Sequence, residues 1–427
     1  MIVTHTQICI LGGGFAGIYT ALYLNKLSWK RSPKPEITLV DQNDRFLFTP
    51  FLYELVTEEL DQWEIAPPYL KLIRGTKIQF CRSVVQQIDL KNRQVQLQQG
   101  KLLSYDWLVL ALGREASLKT ISDSDYAFSF RTLADAQKLN EKLQSLEASN
   151  NSTIRVAIAG GGSSGVELAG KLADRLQEQG HIYLIERGEK LLKSFTTFSQ
   201  KIAFQALAER GVKIHLKTKV QSISSDSITL EHQGQIKTIP VDLILWTVGT
   251  RVNQLLRHLS SQQNHQDQLI TLPTLQILDH PEVFALGDLA NIRDHQGKQI
   301  PTTAQAAYQQ ASCAAYNLQA AITGRPLRHF RYIHLGEMLT LGTNSAIVSS
   351  LGFINLKGRL AHITRRLVYL LLRMPTLRHR IQVSKHWLAR LLLLYFSGGK
   401  STRQTTNNRS HSIGSPDHSL HQNDSKL

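Results

Sequence analysis

Only three cysteines, Cys9, Cys81 and Cys313, occur in 427 residues, far apart and with no CxxC spacing. The chain therefore lacks clustered thiol ligands for a metal, and it lacks the redox-active pair that a flavin-linked disulfide reductase needs. Long apolar runs are also missing. The best candidates, Leu367–Leu372 and Leu391–Phe396, fall far short of the roughly 18 residues a spanning helix requires. No charged n-region and apolar h-region precede the strand-like Ile8–Leu11, so no secretory signal is predicted and a reducing, cytoplasmic setting is expected. Acidic residues are absent from Met338 to Pro416, where twelve Lys or Arg stand, leaving only +4 of the formal net charge of +16 to the remainder. Such a basic end suits nucleic acid or an anionic lipid surface, and composition does not choose between them.

What is present is one supersecondary pattern, twice. Gln7–Leu11 reads as a strand, Gly12–Gly17 as a turn, the run to Leu27 as a helix, and Glu36–Val40 as a second strand after the polar loop Lys30–Pro35. The order recurs at Arg155–Ala159, Gly160–Gly165, a helix through about Leu176, and His181–Ile185. Two copies imply two nucleotide sites on an α/β fold of two Rossmann-type units. Trp107–Ala111, ending at Gly113, and Val241–Val248, ending at Gly249, each add an apolar strand. A short strand over Val283–Asp288 precedes the helical segment Thr303–Ile322, and the polar sequence from Ser397 onward is predicted to be a disordered tail. The length exceeds one hydrophobic core, so two or three domains are expected.

Gly12, Gly14 and Gly17 form a GxGxxG turn between strand and helix, where small residues let backbone N–H groups approach a pyrophosphate at the helix N-terminus. Asp41 ends the next strand, placed to accept hydrogen bonds from ribose hydroxyls. Gly160, Gly162 and Gly165 repeat the turn, with Glu186 at the acidic position. A carboxylate there favours the free 2′-hydroxyl of NADH, whereas the adjacent Arg187 would tolerate the 2′-phosphate of NADPH.

With both turns in place, the chain resembles the two-dinucleotide flavoproteins, in which the first unit binds FAD and an inserted second unit binds the nicotinamide. On that resemblance Asp288, in Ala285-Leu286-Gly287-Asp288, belongs to a second FAD motif, while Ala111 to Gly113 and Trp246 to Gly249 match the linkers where strands cross between domains. Within the superfamily the chain is similar to the type II NAD(P)H dehydrogenases, single-chain NAD(P)H:quinone oxidoreductases that do not pump protons. The stretches that carry the likeness are Gly12-Gly13-Gly14-Phe15-Ala16-Gly17, Gly160 to Glu167, and Thr303-Ala304-Gln305-Ala306-Ala307-Tyr308-Gln309-Gln310. The domains expected are 1–118 and 263–335 for FAD, 119–262 inserted for NAD(P)H, 336–397 for a membrane-binding end, and 398–427 for the tail.

The resemblance places Gln305 near flavin and quinone, with Tyr308 and Gln309 one turn further along the helix; many relatives have His where Tyr308 stands. The alternative is a helix whose amides satisfy neighbouring backbone groups. The same resemblance implies that Glu167, in what reads as the first turn of the second nucleotide helix, lies near nicotinamide and flavin and orients the nicotinamide or relays a proton to reduced quinone; the alternative is an acid that serves only the helix macrodipole. Toward the carboxy terminus, residues 359, 362, 365, 366 and 373 share one helical face at about 100° per residue, opposite Leu360, Ile363, Leu367, Leu371 and Met374. Pro375 interrupts the pattern before a second stretch, Leu377–Phe396. The expectation is a pair of helices lying in a bilayer interface with basic side chains toward anionic headgroups, or else packed helices with a solvated basic face.

The resulting expectation is hydride transfer from NAD(P)H to FAD and two-electron reduction of a membrane quinone. The chain looks most like the cyanobacterial and plastid branch, which includes demethylphylloquinone reductases, so the acceptor implied is demethylphylloquinone or plastoquinone, at the cytoplasmic face of a thylakoid or plasma membrane. A homodimer is compatible with this. Reduction of a ferredoxin-type carrier is the second reading, and a nucleic-acid-binding redox sensor a disfavoured third. Sulfide:quinone oxidoreductase chemistry needs cysteines near the flavin, and these three are scattered.

Overall fold

Strand β1 (Gln7–Leu11) is buried at four successive positions because both of its faces are covered, as a parallel sheet between helices demands. In the computed structural model, residues 5–29, 33–117, 124–149, 153–294 and 296–396 are described, and the tail expected from Ser397 onward lies outside them. After β1 come α1 (Phe15–Lys26), β2 (Glu36–Asp41), β3 (Ile78–Arg82) and β4 (Trp107–Leu110). The chain then builds β5 (Ala127–Phe128), α2 (Leu133–Ala148), β6 (Ile154–Ala159), α3 (Ser163–Leu176), β7 (Gly180–Ile185), α4 (Thr197–Glu209), β8 (Lys213–His215) and β9 (Leu243–Trp246). It returns through β10 (Gln276–Ile277), β11 (His280–Ala285) and α5 (Ala304–Ile322).

Two sheets result. The first runs β10-β11-β4-β1-β2-β3, so the late strand β11 pairs in parallel with β4 and closes a sheet begun at residue 7. The second is wholly parallel and runs β8-β7-β6-β9-β5. The interrupted first sheet and self-contained second sheet make the α/β fold one Rossmann-type unit inserted in another. Each glycine turn follows a central strand, β1 or β6, at the carboxyl edge where such sheets bind ligands.

The chain divides into two compact units, Met1–Arg380 and Ile381–Leu427. In the first, both sheets are followed by an antiparallel hairpin of β12 (Glu337–Gly342), β13 (Ser345–Ser350) and β14 (Ile354–Lys357), then by α6 (Gly358–Val368) and a wider π-helical turn at Tyr369–Arg373. A break at Met374 and Pro375 precedes α7 (Leu377–Phe396). No described helix is long and apolar enough to cross a membrane.

The two-faced character of α6 is as expected, but its orientation corrects both sequence readings. Most of its basic face turns inward: Arg365 is 0% exposed, His362 is buried, and Arg366 reaches Glu59 at 3.3 Å, while Arg359 at the start of the helix stays exposed. The apolar face turns outward, with Leu360 60%, Ile363 53% and Leu367 47% exposed, followed by Leu371 and Leu372. Met374, expected on that face, is fully buried. The reason is electrostatic: the surface beneath α6 offers Glu54 and Glu59, and burial of a guanidinium is tolerable only against such partners.

Candidate active site

The two glycine turns are geometrically equivalent. A Cβ on Gly17 would sit 1.8 Å from the Gly12 carbonyl oxygen, and one on Gly165 would sit 1.8 Å from that of Gly160, so neither helix could approach its strand with a larger residue. Gly12 and Gly160 adopt left-handed φ of 97° and 111°, and a Cβ there would strike the Ala111 carbonyl or the Thr247 hydroxyl. By contrast a Cβ on Gly14 or Gly162 would meet nothing within 4 Å, because each turn opens there beneath a helix N-terminus. This is the cradle a pyrophosphate requires.

The acids expected on the ribose also hold the turns. Asp41 Oδ2 accepts from the Gly13 N–H at 2.6 Å, and Glu186 Oε2 from that of Gly161 at 2.7 Å. The other Glu186 oxygen accepts from the Gly188 N–H at 2.6 Å. A cleft of about 800 Å³ extends from Gly12, Gly14 and Phe15 past Asp41 to Ala111 and Gly113. Phe15 is fixed against Phe46 and Phe48, and Ala16 is buried behind the turn. Gly249, with φ of 77°, ends the linker after β9 as Gly113 does after β4.

Asp288 follows Gly287, whose N–H donates to Gln310 Oε1 at 2.7 Å. Burial pushes the Asp288 carboxyl above its usual range against the pull of Arg131 and Arg114. Those two arginines also line the cleft and were not singled out in the sequence. Only the fold, which brings Arg114 from beyond β4 and Arg131 from beyond β5 to one cleft, reveals them. The dimensions, open turns and paired acids fit FAD in the first unit and a nicotinamide dinucleotide in the second.

A smaller cavity of about 280 Å³ shares Thr49 and Arg131 with that cleft. Its walls include Pro50, Tyr53, Glu167, Leu339 and Tyr369. Helix α3 begins at Ser163, making Glu167 its fifth residue and placing it beyond the first turn, so the macrodipole has little hold on it. Glu167 is instead 6% exposed, accepts the Thr340 N–H at 3.0 Å and lies 3.7 Å from Arg365. Burial pushes its carboxyl up to about 8, although Arg365 and the Thr340 N–H pull it down. Arg365 also donates to Glu54 at 2.5 Å and to the Pro50 carbonyl, between the rings of Phe51 and Tyr369. Behind it Lys171, 0% exposed, pairs with Glu59. One guanidinium thus faces two buried carboxylates, Glu54 and Glu167, an arrangement that favours keeping a proton on one of them.

Gln305 and Gln309 commit their amides to residues 332–336, chiefly to backbone. Gln305 Oε1 accepts from Tyr332 OH at 2.8 Å and the Leu335 N–H at 3.0 Å; Gln309 makes a reciprocal pair with Ile333 at 2.8 and 3.0 Å. They brace the segment leading into β12, whose Met338 and Leu339 line the smaller cavity. Neither glutamine lines it. Tyr308 packs edge-on against Tyr19 at 4.7 Å, with the Arg373 guanidinium 4.9 Å from its ring. The cysteines are all free; burial pushes the Cys9 thiol up to about 12 and the Cys313 thiol up to about 11, which leaves both inert.

Residues 6–311 match the model of the pyridine nucleotide-disulphide oxidoreductase family. The chain is 49% identical to demethylphylloquinone reductase NdbB of Synechocystis sp., over 90% of this chain and 96% of that protein. It is 40% identical to the alternative NAD(P)H-ubiquinone oxidoreductase C1 of Arabidopsis thaliana, over 90% and 80%. Its fold matches the NDH2 of Plasmodium falciparum in complex with NADH with a TM-score of 0.79 at 18% identity, over 92% of this chain and 99% of the other. Paired nucleotide turns, a buried acid beside their common cavity and these matches converge: the chain belongs to the pyridine nucleotide-disulphide oxidoreductase family, among its FAD-dependent type II NAD(P)H:quinone oxidoreductases.

Proposed function

We propose that this protein oxidises NAD(P)H through FAD and reduces a lipid-dissolved naphthoquinone lacking its ring methyl, the acceptor class named for its cyanobacterial relative. The overall reaction is NAD(P)H + H⁺ + quinone to NAD(P)⁺ + quinol. The observation that carries it is the small cavity beside Glu167, which shares Thr49 and Arg131 with the first nucleotide cleft. FAD, when bound, supplies the two-electron redox chemistry.

The chain's own residues bind, orient and hold protons. Gly12, Gly14, Phe15, Ala16, Gly17, Asp41, Ala111, Gly113 and Asp288 hold FAD, while Gly160, Gly162, Gly165, Glu186 and Gly249 hold the nicotinamide dinucleotide. Glu167 keeps a proton near neutral pH because burial disfavours its carboxylate, and it yields that proton to the reduced quinone. Gln305 and Gln309 act as positioning residues by bracing the approach to β12, and Tyr308 shapes the aromatic wall.

Attachment is peripheral, through the exposed apolar face of α6, with exposed Lys357 and Arg359 toward anionic headgroups. That face suits lipid better than an acidic soluble carrier. The test is steady-state turnover of purified full chain loaded with FAD, using NADH or NADPH against short-chain benzoquinones and a demethylated naphthoquinone. Quinone-dependent oxidation is expected, fastest with the naphthoquinone, and absence of turnover with every quinone rejects the reaction.

A further inference from the structure

We propose that the β13–β14 turn, Leu351 to Ile354, is a second lipid-insertion point that seats the protein in the bilayer beside α6. The inference rests on the peripheral attachment argued above and adds an element that no helical periodicity marks.

Among the described residues Phe353, at 76%, is the most exposed large apolar side chain; Leu351 is 61% and Ile354 37% exposed. The turn is also chemically costly. Ser350 pairs with Ile354, leaving 351–353 as the tip, with Leu351 at φ 53° and Gly352 at φ 77°. Two successive left-handed residues suit Asn-Gly or Asp-Gly, and Leu is strained there. A polar residue would relieve both the strain and the exposure, so local folding does not explain Leu351 or Phe353. An apolar environment outside the protein does.

The kind of environment follows from shape and charge. A three-residue tip is convex and offers no groove to a partner's side chain, whereas a bilayer interface accepts a protruding apolar wedge. No Asp or Glu occurs from Met338 to Pro416, so nothing acidic on these residues opposes anionic headgroups, and the exposed Lys357 and Arg359 follow the tip closely. Strand β14 has four residues, which puts the tip about 13 Å from the start of α6 at strand rise. That separation is short enough for a flat bilayer to take both the tip and the outward face of α6 within one footprint.

The experiment uses the full FAD-loaded chain and phosphatidylcholine/phosphatidylglycerol vesicles. Partitioning is measured by flotation for the wild type, F353D, F353L, I363D and I236D. Ile236 is 70% exposed on the meander at 218–240 and serves as a matched apolar control. F353D is expected to lower the partition coefficient about tenfold, from the lost burial of one large apolar side chain; F353L should retain most of it and I236D all of it. Turnover of a water-soluble quinone without vesicles should be unchanged in F353D, which certifies its fold. If I363D loses binding while F353D stays within twofold of wild type, α6 alone anchors the chain and the tip is refuted with the attachment intact. If the wild type does not float, both fall. A dimer in sedimentation velocity that F353D converts to monomer assigns the tip to a second copy and overturns the lipid assignment.

Discussion

The two nucleotide turns are built alike and surrounded differently. Gly17 and Gly165 meet the same clash at 1.8 Å, and Asp41 and Glu186 clasp equivalent glycine N–H groups at 2.6 and 2.7 Å. The first turn is closed by its own sheet, through β11 and α5. Beyond the second turn, α3 packs against the C-terminal hairpin so closely that a Cβ on Gly170 would stand 2.5 Å from the Leu341 carbonyl oxygen. That closure brings Arg365 to Glu167. The difference separates a turn that stores a cofactor from one whose helix also carries an acid into the shared cavity.

The largest effect expected is from breaking one turn at a time. Gly17→Ala should abolish flavin retention, since the side chain would collide with backbone that cannot yield. Gly165→Ala should keep the yellow chromophore and lose flavin bleaching by NADH at least a hundredfold, a magnitude of about 3 kcal/mol within the range of overpacking. Absorbance at flavin wavelengths and stopped-flow bleaching distinguish the two. Loss of flavin in both variants would mean that the turns are not independent sites.

The next effect concerns the closure around the second unit. Arg365→Met leaves Glu54 and Glu167 buried without their shared cation, and removing one member of a buried pair costs about 3–5 kcal/mol. A matching drop in urea-unfolding free energy is expected, and Glu54→Gln in the Arg365→Met background should recover part of it. Additive losses in the double variant would show that Glu54 and Arg365 do not act as a pair.

Much of this was legible in the sequence, and the reason for the rest is physical. Glycine turns, the strands before them and Asp41 or Glu186 at their ends are local patterns, fixed within about thirty residues of chain. The facing of α6 is not local. Periodicity located its apolar stripe but could not say which stripe meets protein, because that depends on Glu54 and Glu59, some 300 residues away. A separation of about 200 residues likewise hid Arg365 beside Glu167. Gln305 and Gln309 stood out by resemblance, yet their amides bind the backbone of residues 333–336, a partner that no motif spacing marks.

Removing the acid itself gives a smaller and pH-dependent effect. Because burial holds Glu167 up at about 8 against an ordinary value of 4.5, folding favours its protonated form. Its stabilising contribution is complete below about pH 4.5 and is lost as pH rises through about 8. Quinone reduction should accordingly fall above pH 8 in the wild type. Glu167→Gln should remove that limb and lower the quinone-dependent rate about a hundredfold at pH 7, the lower range for a positioned proton donor. Flavin bleaching by NADH should be nearly unaffected. If instead bleaching falls as much as quinol formation, Glu167 orients the nicotinamide and gives up no proton.

The smallest effect probes the acids, where the two units differ by one methylene. Asp41 and Glu186 each hold a glycine loop, but Glu186 has both oxygens on backbone N–H groups, of Gly161 and Gly188. Its remaining lone pairs are those available to a ribose. Replacing it with Ala removes a hydrogen bond to the free 2′-hydroxyl of NADH, about 1 kcal/mol or roughly fivefold in affinity. The change should cost NADPH less, since the 2′-phosphate would no longer face a carboxylate. Titration of flavin bleaching with each nucleotide measures both. Equal losses would mean that Glu186 acts only through the loop it holds, and nicotinamide choice would then rest on Arg187.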